Sequence, residues 1–313
     1  MSIDLFKPYV DFVFKGVFKK SPKSLASLIS SIQNWPEDRI KSITYLDGQL
    51  SKDHLEGKAG AVDLIVELDN KDKIHVEVQV LYHEAYPERS IYYWAKLYGQ
   101  QLYRGESYTE LKPLVCIHIL VFNLFDDNKA LRSFQLRDDH SSTVLSNHVK
   151  IIFLEINKVF SDNSLTDNVI HWINFIRNPN EEREMLENKD SFKEAYEELE
   201  KLSKDPDSRW AYELAFKSIK DEESRVKDIK SVAKAQGMAQ GMAQGMAQGI
   251  AQGMAQGIAQ GMAQGLLEGV AEGKLQAQTE FVHKMHKNGL TIQEISKILS
   301  ADEQDISNLL KIK

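Results

Sequence analysis

Residues 62–80, VDLIVELDNKDKIHVEVQV, constrain the fold more than any other stretch of this chain. Apolar side chains alternate in two runs around the polar Asp69-Asn70-Lys71-Asp72, which is the pattern of a β-hairpin whose turn tolerates left-handed backbone. Successive side chains of a strand point to opposite faces. Val62, Leu64, Val66 and Leu68 therefore share one face, with Asp63, Ile65 and Glu67 on the other. In the second run Ile74, Val76, Val78 and Val80 form the apolar face, and His75, Glu77 and Gln79 the opposite one. A slip of one residue would turn a whole apolar set towards water, so only registers of the same parity survive. Pairing Asp63 with Glu77 leaves Asp69-Asn70-Lys71 as the loop, and pairing it with Gln79 leaves Asn70-Lys71-Asp72. Both registers bring Asp63, Glu77 and Gln79 to one patch.

Two carboxylates a few ångströms apart repel, and each raises the other's pKa unless a cation lies between them. Oxygen donors of this kind suit Mg²⁺ or Mn²⁺. A solvated sheet face also carries charges as a matter of course, so the spacing alone leaves a metal site and an ordinary polar face both open.

The flanking pattern predicts an α/β domain. Residues 6–18 place Phe6, Tyr9, Val10, Val13 and Val17 on one helical face, with Asp11 and Lys15 four apart on another. A short helix, LASLISSI, follows Pro22, and a strand is expected near residues 40–46. Pro87 opens a helix expected to run to about Tyr103. On it Ile91, Trp94, Ala95, Tyr98 and Leu102 are assigned to a core, while Arg89, Tyr93, Lys96, Gln100 and Arg104 line a different face. LVCIHILVF at 114–122 and IIFLEI at 151–156 are continuous apolar runs, as expected of strands covered on both sides.

The rest of the chain reads as helical. Residues 161–233 form a helical region in which 181–207 carry 11 acids and 5 bases, almost all of the chain's net charge of −7. The first 30 residues are net +3, so the overall acidity argues only weakly against a nucleic-acid partner. At 234–274 an AQGM-type tetrapeptide repeat places ten glycines, Gly237 to Gly273, at every fourth position. Each glycine costs a helix about 1 kcal/mol relative to alanine, so an isolated monomeric helix is not expected to be stable. The period of four winds right-handed and lets two helix backbones approach closely. The tract is thus either a self-associating stalk or a flexible linker. Residues 275–313 form a small helical unit with Ile292, Ile295, Ile298 and Leu299, then Ile306, Leu309 and Leu310, and with Thr291 and Ser300 as caps. It suits packing or dimerisation better than DNA reading.

Within 313 residues, 42% hydrophobic content with 13 Phe, 11 Tyr and 4 Trp suffices for a sizeable core. The single cysteine, Cys116, lies in an apolar run and is expected to be a buried, inert thiol. The N-terminus lacks the pattern of a secretory signal, and no stretch reaches the apolar length of a membrane span. The sequence predicts a cytoplasmic protein with no membrane partner.

DFVFKGVF, VDLIVEL, HVEVQV and ERSIYYWAKLYGQQLYRGESYTELKPLVCIHILVFNLFDD resemble the recombination-promoting nuclease family, also labelled PD-(D/E)XK nuclease-family transposases. The resemblance runs over about residues 5–160, and the glycine tract and terminal helical unit also occur in that family. It implies a restriction-endonuclease-like α/β core over residues 1–160, followed by the helical C-terminal region. It implies that Asp63 and Glu77 ligate Mg²⁺ (or Mn²⁺), with the Val78 carbonyl as a third ligand and Asp11 as the helix-borne acid that completes the site. Val62 stands where the signature has Pro, and Gln79 stands where it has Lys. A neutral amide orients water but carries no charge, which leaves more of the work to the metal.

The expected activity is that of a metal-dependent DNA endonuclease of low sequence specificity, linked to recombination, transposition or defence against foreign DNA. Arg89, Tyr93, Lys96, Gln100 and Arg104 are candidates to hold the phosphate backbone, and His75 is read as structural. The alternative is a catalytically weak, oligomeric scaffold that binds nucleic acid or protein, and RNA is not excluded as substrate. Self-association is expected through the glycine repeat and the C-terminal helices. In-frame Met238, Met242, Met246, Met254 and Met262 would allow a shorter C-terminal product to be made by internal initiation.

Overall fold

The computed structural model describes residues 4–46 and 63–311. Val62 and the start of the first hairpin run therefore lie outside the described residues. Two compact units are formed, residues 1–227 and 228–313.

In the first unit α1 (Asp11–Phe18) and α2 (Pro22–Gln33) precede β1 (Ile43–Tyr45), β2 (Leu64–Leu68) and β3 (Lys73–Gln79). Then come α3 (Tyr86–Gly99), β4 (Leu114–Leu120), β5 (Leu131–Phe134) and β6 (Val149–Glu155). Helices α4 (Asp167–Arg177), α5 (Arg183–Leu186) and α6 (Asp190–Lys204) follow. Helix α7 (Pro206–Lys287) begins in this unit and continues through the glycine repeat, and α8 (Ile292–Leu299) and α9 (Glu303–Lys311) end the chain.

Among the described residues six strands form one mixed sheet in the order β1-β2-β3-β4-β6-β5. β3, β4 and β6 are parallel neighbours, and the remaining pairs are antiparallel. α3 is the crossover from β3 to β4, the connection a parallel pair requires. In the hairpin Leu64 pairs with Val76 and Ile65 with His75. The Leu68 amide donates to the Asp72 carbonyl at 2.9 Å, and Lys71 takes a φ of 73°. The loop is therefore Asp69-Asn70-Lys71, the first of the two registers that the sequence allows, and continuing the ladder by one residue brings Asp63 opposite Glu77.

The sheet is covered on both sides. On one face Leu64, Val66, Ile74, Val76, Val78, Ile117 and Ile119 join a core with α1, α2, α4 and α6, centred on Phe18, Trp172, Phe175 and Phe192. On the other, α3 lies over Ile65, Leu114, Cys116 and Leu120. β4 is buried along its whole length, as a continuous apolar run predicts. Cys116 is fully buried and burial pushes its thiol pKa upward, so it is an inert core residue.

α3 departs from its sequence pattern in two ways. The helix stops at Gly99 rather than near Tyr103, so Gln100 caps it and Arg104 lies beyond it. The cause is Gln101, whose side chain both donates to the Lys112 carbonyl and accepts from the Lys112 amide at 3.1 Å, drawing the chain off the helix axis. Ile91 and Ala95, assigned to the core by periodicity, are exposed; Tyr86, Ser90 and Leu97 are the buried positions. β5 was not legible as a strand: it is four residues long, lies at the sheet edge and is half-exposed.

The second unit closes on Val282, Ile295 and Ile306. Thr291 forms a capping box with Glu294, as a Thr three residues before Glu predicts. Ser300 ends α8 in left-handed backbone and does not start α9; Asp302 begins α9 by accepting from the Gln304 amide. Thr291→Ala is expected to cost about 1 kcal/mol and to lower the calorimetric midpoint of this unit's transition. Along the repeat Met238, Met242, Met246, Ile250, Met254 and Ile258 are exposed. No helix of the described residues is long and apolar enough to cross a membrane.

Candidate active site

Asp63 and Glu77 reach one place from the adjacent strand ends of the hairpin. Both are largely buried, because β2 and β3 run through the middle of a sheet covered by helices. One Asp63 oxygen accepts from the Val78 backbone amide at 2.9 Å, which fixes the carboxylate beside β3. The other lies 3.0 Å from the Lys15 ammonium. Lys15 extends from α1, which buries Val13, Phe14, Val17 and Phe18 and so turns its Asp11 and Lys15 face towards the hairpin. Lys15 also meets Asp11 at 2.7 Å, so Asp11 is tied to Asp63 through one shared ammonium.

Glu77 is flanked from three sides. Arg89 of α3 approaches one oxygen at 3.6 Å. His118 Nδ1 and His75 Nε2 stand 3.8 Å and 4.0 Å from the other. These histidines supply no charge: burial holds His75 at a pKa of about 4, and burial, with His75 and Arg89 nearby, holds His118 well below the usual range. The Tyr86 hydroxyl meets His118 Nδ1 at 3.1 Å. Among the described residues both His75 nitrogens and His118 Nε2 are buried without a hydrogen-bond partner.

Burial, more than any neighbour, sets the protonation of both acids. Burial, and then Asp11, pushes Asp63 up to about 6 against the Val78 amide and Lys15. Burial, and then Asp63, pushes Glu77 up to about 7 despite Arg89 and Lys15. Burial works against the Lys15 ammonium, but its two carboxylate partners prevail and its pKa rises.

The remaining sequence candidates separate in space. Val78 directly follows Glu77 in sequence and holds Asp63 through its amide. Gln79 turns away, its amide donating to the Leu81 carbonyl at 3.0 Å. Arg89 reaches Glu77 with its guanidinium over the rings of Tyr86 and Tyr93. Tyr93 packs on the cluster of Ile65, Leu97, Leu114 and Cys116. Lys96 is on the same helix, half-exposed; Gln100 and Arg104 do not continue that helical row. His75 was read as structural, yet its ring borders Glu77. His118 is absent from the sequence candidates, and Lys15 enters the sequence pattern only by its spacing from Asp11, with no role at the site. The signal for His118 is a lone polar residue inside LVCIHIL, and for Lys15 its four-residue spacing from Asp11.

A mixed sheet with helices on both faces, and two acids on adjacent strand ends beside an acid-bearing first helix, define a nuclease-like α/β core. The family model described as PD-(D/E)XK nuclease family transposase matches residues 8–228, and the chain belongs to that family. The match reaches beyond the sheet into α4, α6 and the start of α7. No curated protein and no solved structure matches the chain.

Proposed function

We propose that this chain is a divalent-metal-dependent endonuclease that hydrolyses DNA phosphodiester bonds with little sequence preference, using Asp63 and Glu77 as its central residues. The observation that carries this reading is the pair itself: two buried carboxylates on neighbouring strands, both held well above the ordinary carboxylate range. A protein gains nothing in stability from such a pair, and perturbed acids of this kind concentrate at functional sites.

The donor set is chemically suited to Mg²⁺ or Mn²⁺. Its atoms are carboxylate oxygens, with the Val78 carbonyl as a further oxygen, and hard divalent ions prefer oxygen. Among the described residues no three His, Cys, Asp or Glu side chains form a ready-made cluster; Asp63 and Glu77 would hold the ion together with backbone or solvent oxygens. A bound ion would supply Lewis-acid stabilisation of phosphate charge and a nucleophile near neutral pH.

The chain's own residues do the rest. Arg89, oriented by the two tyrosine rings, holds a phosphate beside Glu77, and Lys96 on the same helix extends that contact along the backbone. The neutral, buried His75 and His118 line the inner side of Glu77 and keep bulk water away from it. Self-association belongs to the same proposal: the exposed Met and Ile positions of the repeat, next to its glycines, offer a second copy a close-packing surface. Sedimentation of the full chain is expected to give a mass above that of one chain.

Supercoiled plasmid incubated with the purified chain tests the activity. Nicked or linear product with Mg²⁺ or Mn²⁺, none with EDTA, and none from folded Asp63→Ala or Glu77→Ala is the expected result. Equal products from all preparations would reject the nuclease reading in favour of a scaffold. Parallel assays on RNA set the substrate class, and breaks made in DNA provide the link to recombination, transposition or defence.

A further inference from the structure

We propose that Lys15, on the first helix, is a catalytic residue: it supplies the positive charge that the (D/E)XK signature places two residues after Glu77. This rests on the nuclease reading above and deepens it. The signature position is Gln79, which carries no charge and spends its amide on the Leu81 carbonyl. The charge has not vanished from the site. It arrives from the other side, on α1, with Lys15 Nζ 3.0 Å from Asp63 and 2.7 Å from Asp11. Its field also reaches Glu77.

Placement and exposure both suit a group that meets substrate. The Lys15 side chain is about a quarter exposed, and it links the buried Asp63 to the exposed Asp11 at the solvent edge of the site. Arg89 lies on the opposite element, against Glu77 rather than Asp63. The two cations thus bracket the acid pair, one from α1 and one from α3. A phosphate oxygen entering between them meets positive charge from both sides, the arrangement that stabilises charge developing during phosphoryl transfer.

The step itself is hydrolysis. A water oxygen bonds to phosphorus and the ester bond to the sugar oxygen breaks. One water proton goes to the departing sugar oxygen, and the other remains on the new terminal phosphate or passes to solvent. Lys15 keeps its own protons and acts through its charge. Asp11 is its positioning residue, holding the ammonium through the four-residue helical spacing.

The competing explanation is that Lys15 only neutralises Asp63 when no metal is bound. Single-turnover cleavage by the full chain separates the two, measured at saturating Mn²⁺ for wild type, Lys15→Met, Lys15→Arg and Lys15→Met/Gln79→Lys. DNA affinity and thermal midpoint are read for each. The proposal expects Lys15→Met to lose about a hundredfold or more in rate with folding intact and DNA affinity within about threefold, as for removal of a preorganised charge. Lys15→Arg keeps most of the rate, and Gln79→Lys in the Lys15→Met background restores at least about tenfold. Cleavage by Lys15→Met within about threefold of wild type overturns the Lys15 assignment and leaves the nuclease reading standing. A loss that Lys15→Arg shares in full, with no rescue by Gln79→Lys, also overturns it. A wild-type chain that does not cleave at all defeats the nuclease reading itself.

Discussion

Glu77→Gln is expected to make the first unit more stable and, at the same time, to abolish cleavage. Glu77 is almost fully buried, and burial followed by the nearby Asp63 raises its pKa to about 7. The sign follows from linkage. Between the unfolded value near 4.5 and the folded value near 7, the unfolded chain has released a proton that the folded chain keeps, so stability falls as pH rises across that window. Above it the ionised carboxylate carries a constant penalty, on the order of 3 kcal/mol for a shift of this size. Glutamine keeps the shape without the charge. In EDTA at pH 8, Glu77→Gln is expected to gain about 2 kcal/mol in denaturant unfolding, and at pH 4.5 or below the gain should nearly vanish. The buried histidines pull the other way, since His75 is held neutral to about 4 and stability is lost as pH falls from its ordinary value towards that. Both proteins share this contribution, so it cancels in the comparison. Under the proposed function Glu77→Gln removes a carboxylate that would hold the ion, and cleavage should fall about a hundredfold or more, as for removal of a preorganised electrostatic group. A variant equally stable at pH 8 and equally active would contradict the account of Glu77.

Trp172→Ala should give the largest loss of stability. Trp172 is fully buried, stacks on Phe192 with ring centres 4.0 Å apart, and meets Phe175 and Phe18 edge-on or tilted at 5.6 Å and 5.9 Å. Its indole N–H donates to Ser27 Oγ at 3.4 Å. One side chain therefore joins α1, α2, α4 and α6. Truncating it removes a large apolar area and leaves a cavity lined by rings that cannot all close in, a change that costs about 3–5 kcal/mol. Trp172→Phe keeps a ring in the stack and should cost less. Urea unfolding of the full chain measures both. Because Phe18 ends the helix that carries Asp11 and Lys15, Trp172→Ala should also lower cleavage at temperatures where wild type remains folded. A cost below about 1 kcal/mol would mean that this cluster is not the centre of the core.

The parts of this fold that are legible in the sequence are those with a strict period. The hairpin alternation brings Asp63 and Glu77 together, while Gln79, assigned to the same patch, spends its amide on the Leu81 carbonyl; only the left-handed Lys71 chooses between the two registers. The apolar runs give β4 and β6 because a strand buried on both faces has no polar alternation to obscure it. α3 is harder to read. It carries aromatics around most of its circumference, so periodicity assigns exposed Ile91 to the core, and its end is set by a side-chain contact with Lys112 that no local pattern announces. The role of Lys15 is hidden for the same reason. Its partner Asp63 lies far along the chain, and the sequence shows only the local spacing from Asp11. The glycine repeat illustrates the opposite difficulty. Its composition allows either a helix or a linker, and the chain adopts the helix through all ten glycines.

Calorimetric titration of the full chain with Mn²⁺ at pH 6.5, in two buffers of different ionisation heat, tests most directly whether Asp63 and Glu77 form a cation site. At that pH Glu77, with a pKa of about 7, is mostly protonated, so a cation must displace a proton to bind it. Binding with release of close to one proton is expected, and Glu77→Gln should remove the proton release and most of the affinity. Binding that releases no proton and is unchanged in Glu77→Gln, or no binding at all by the folded wild-type chain, would contradict a cation site at this pair.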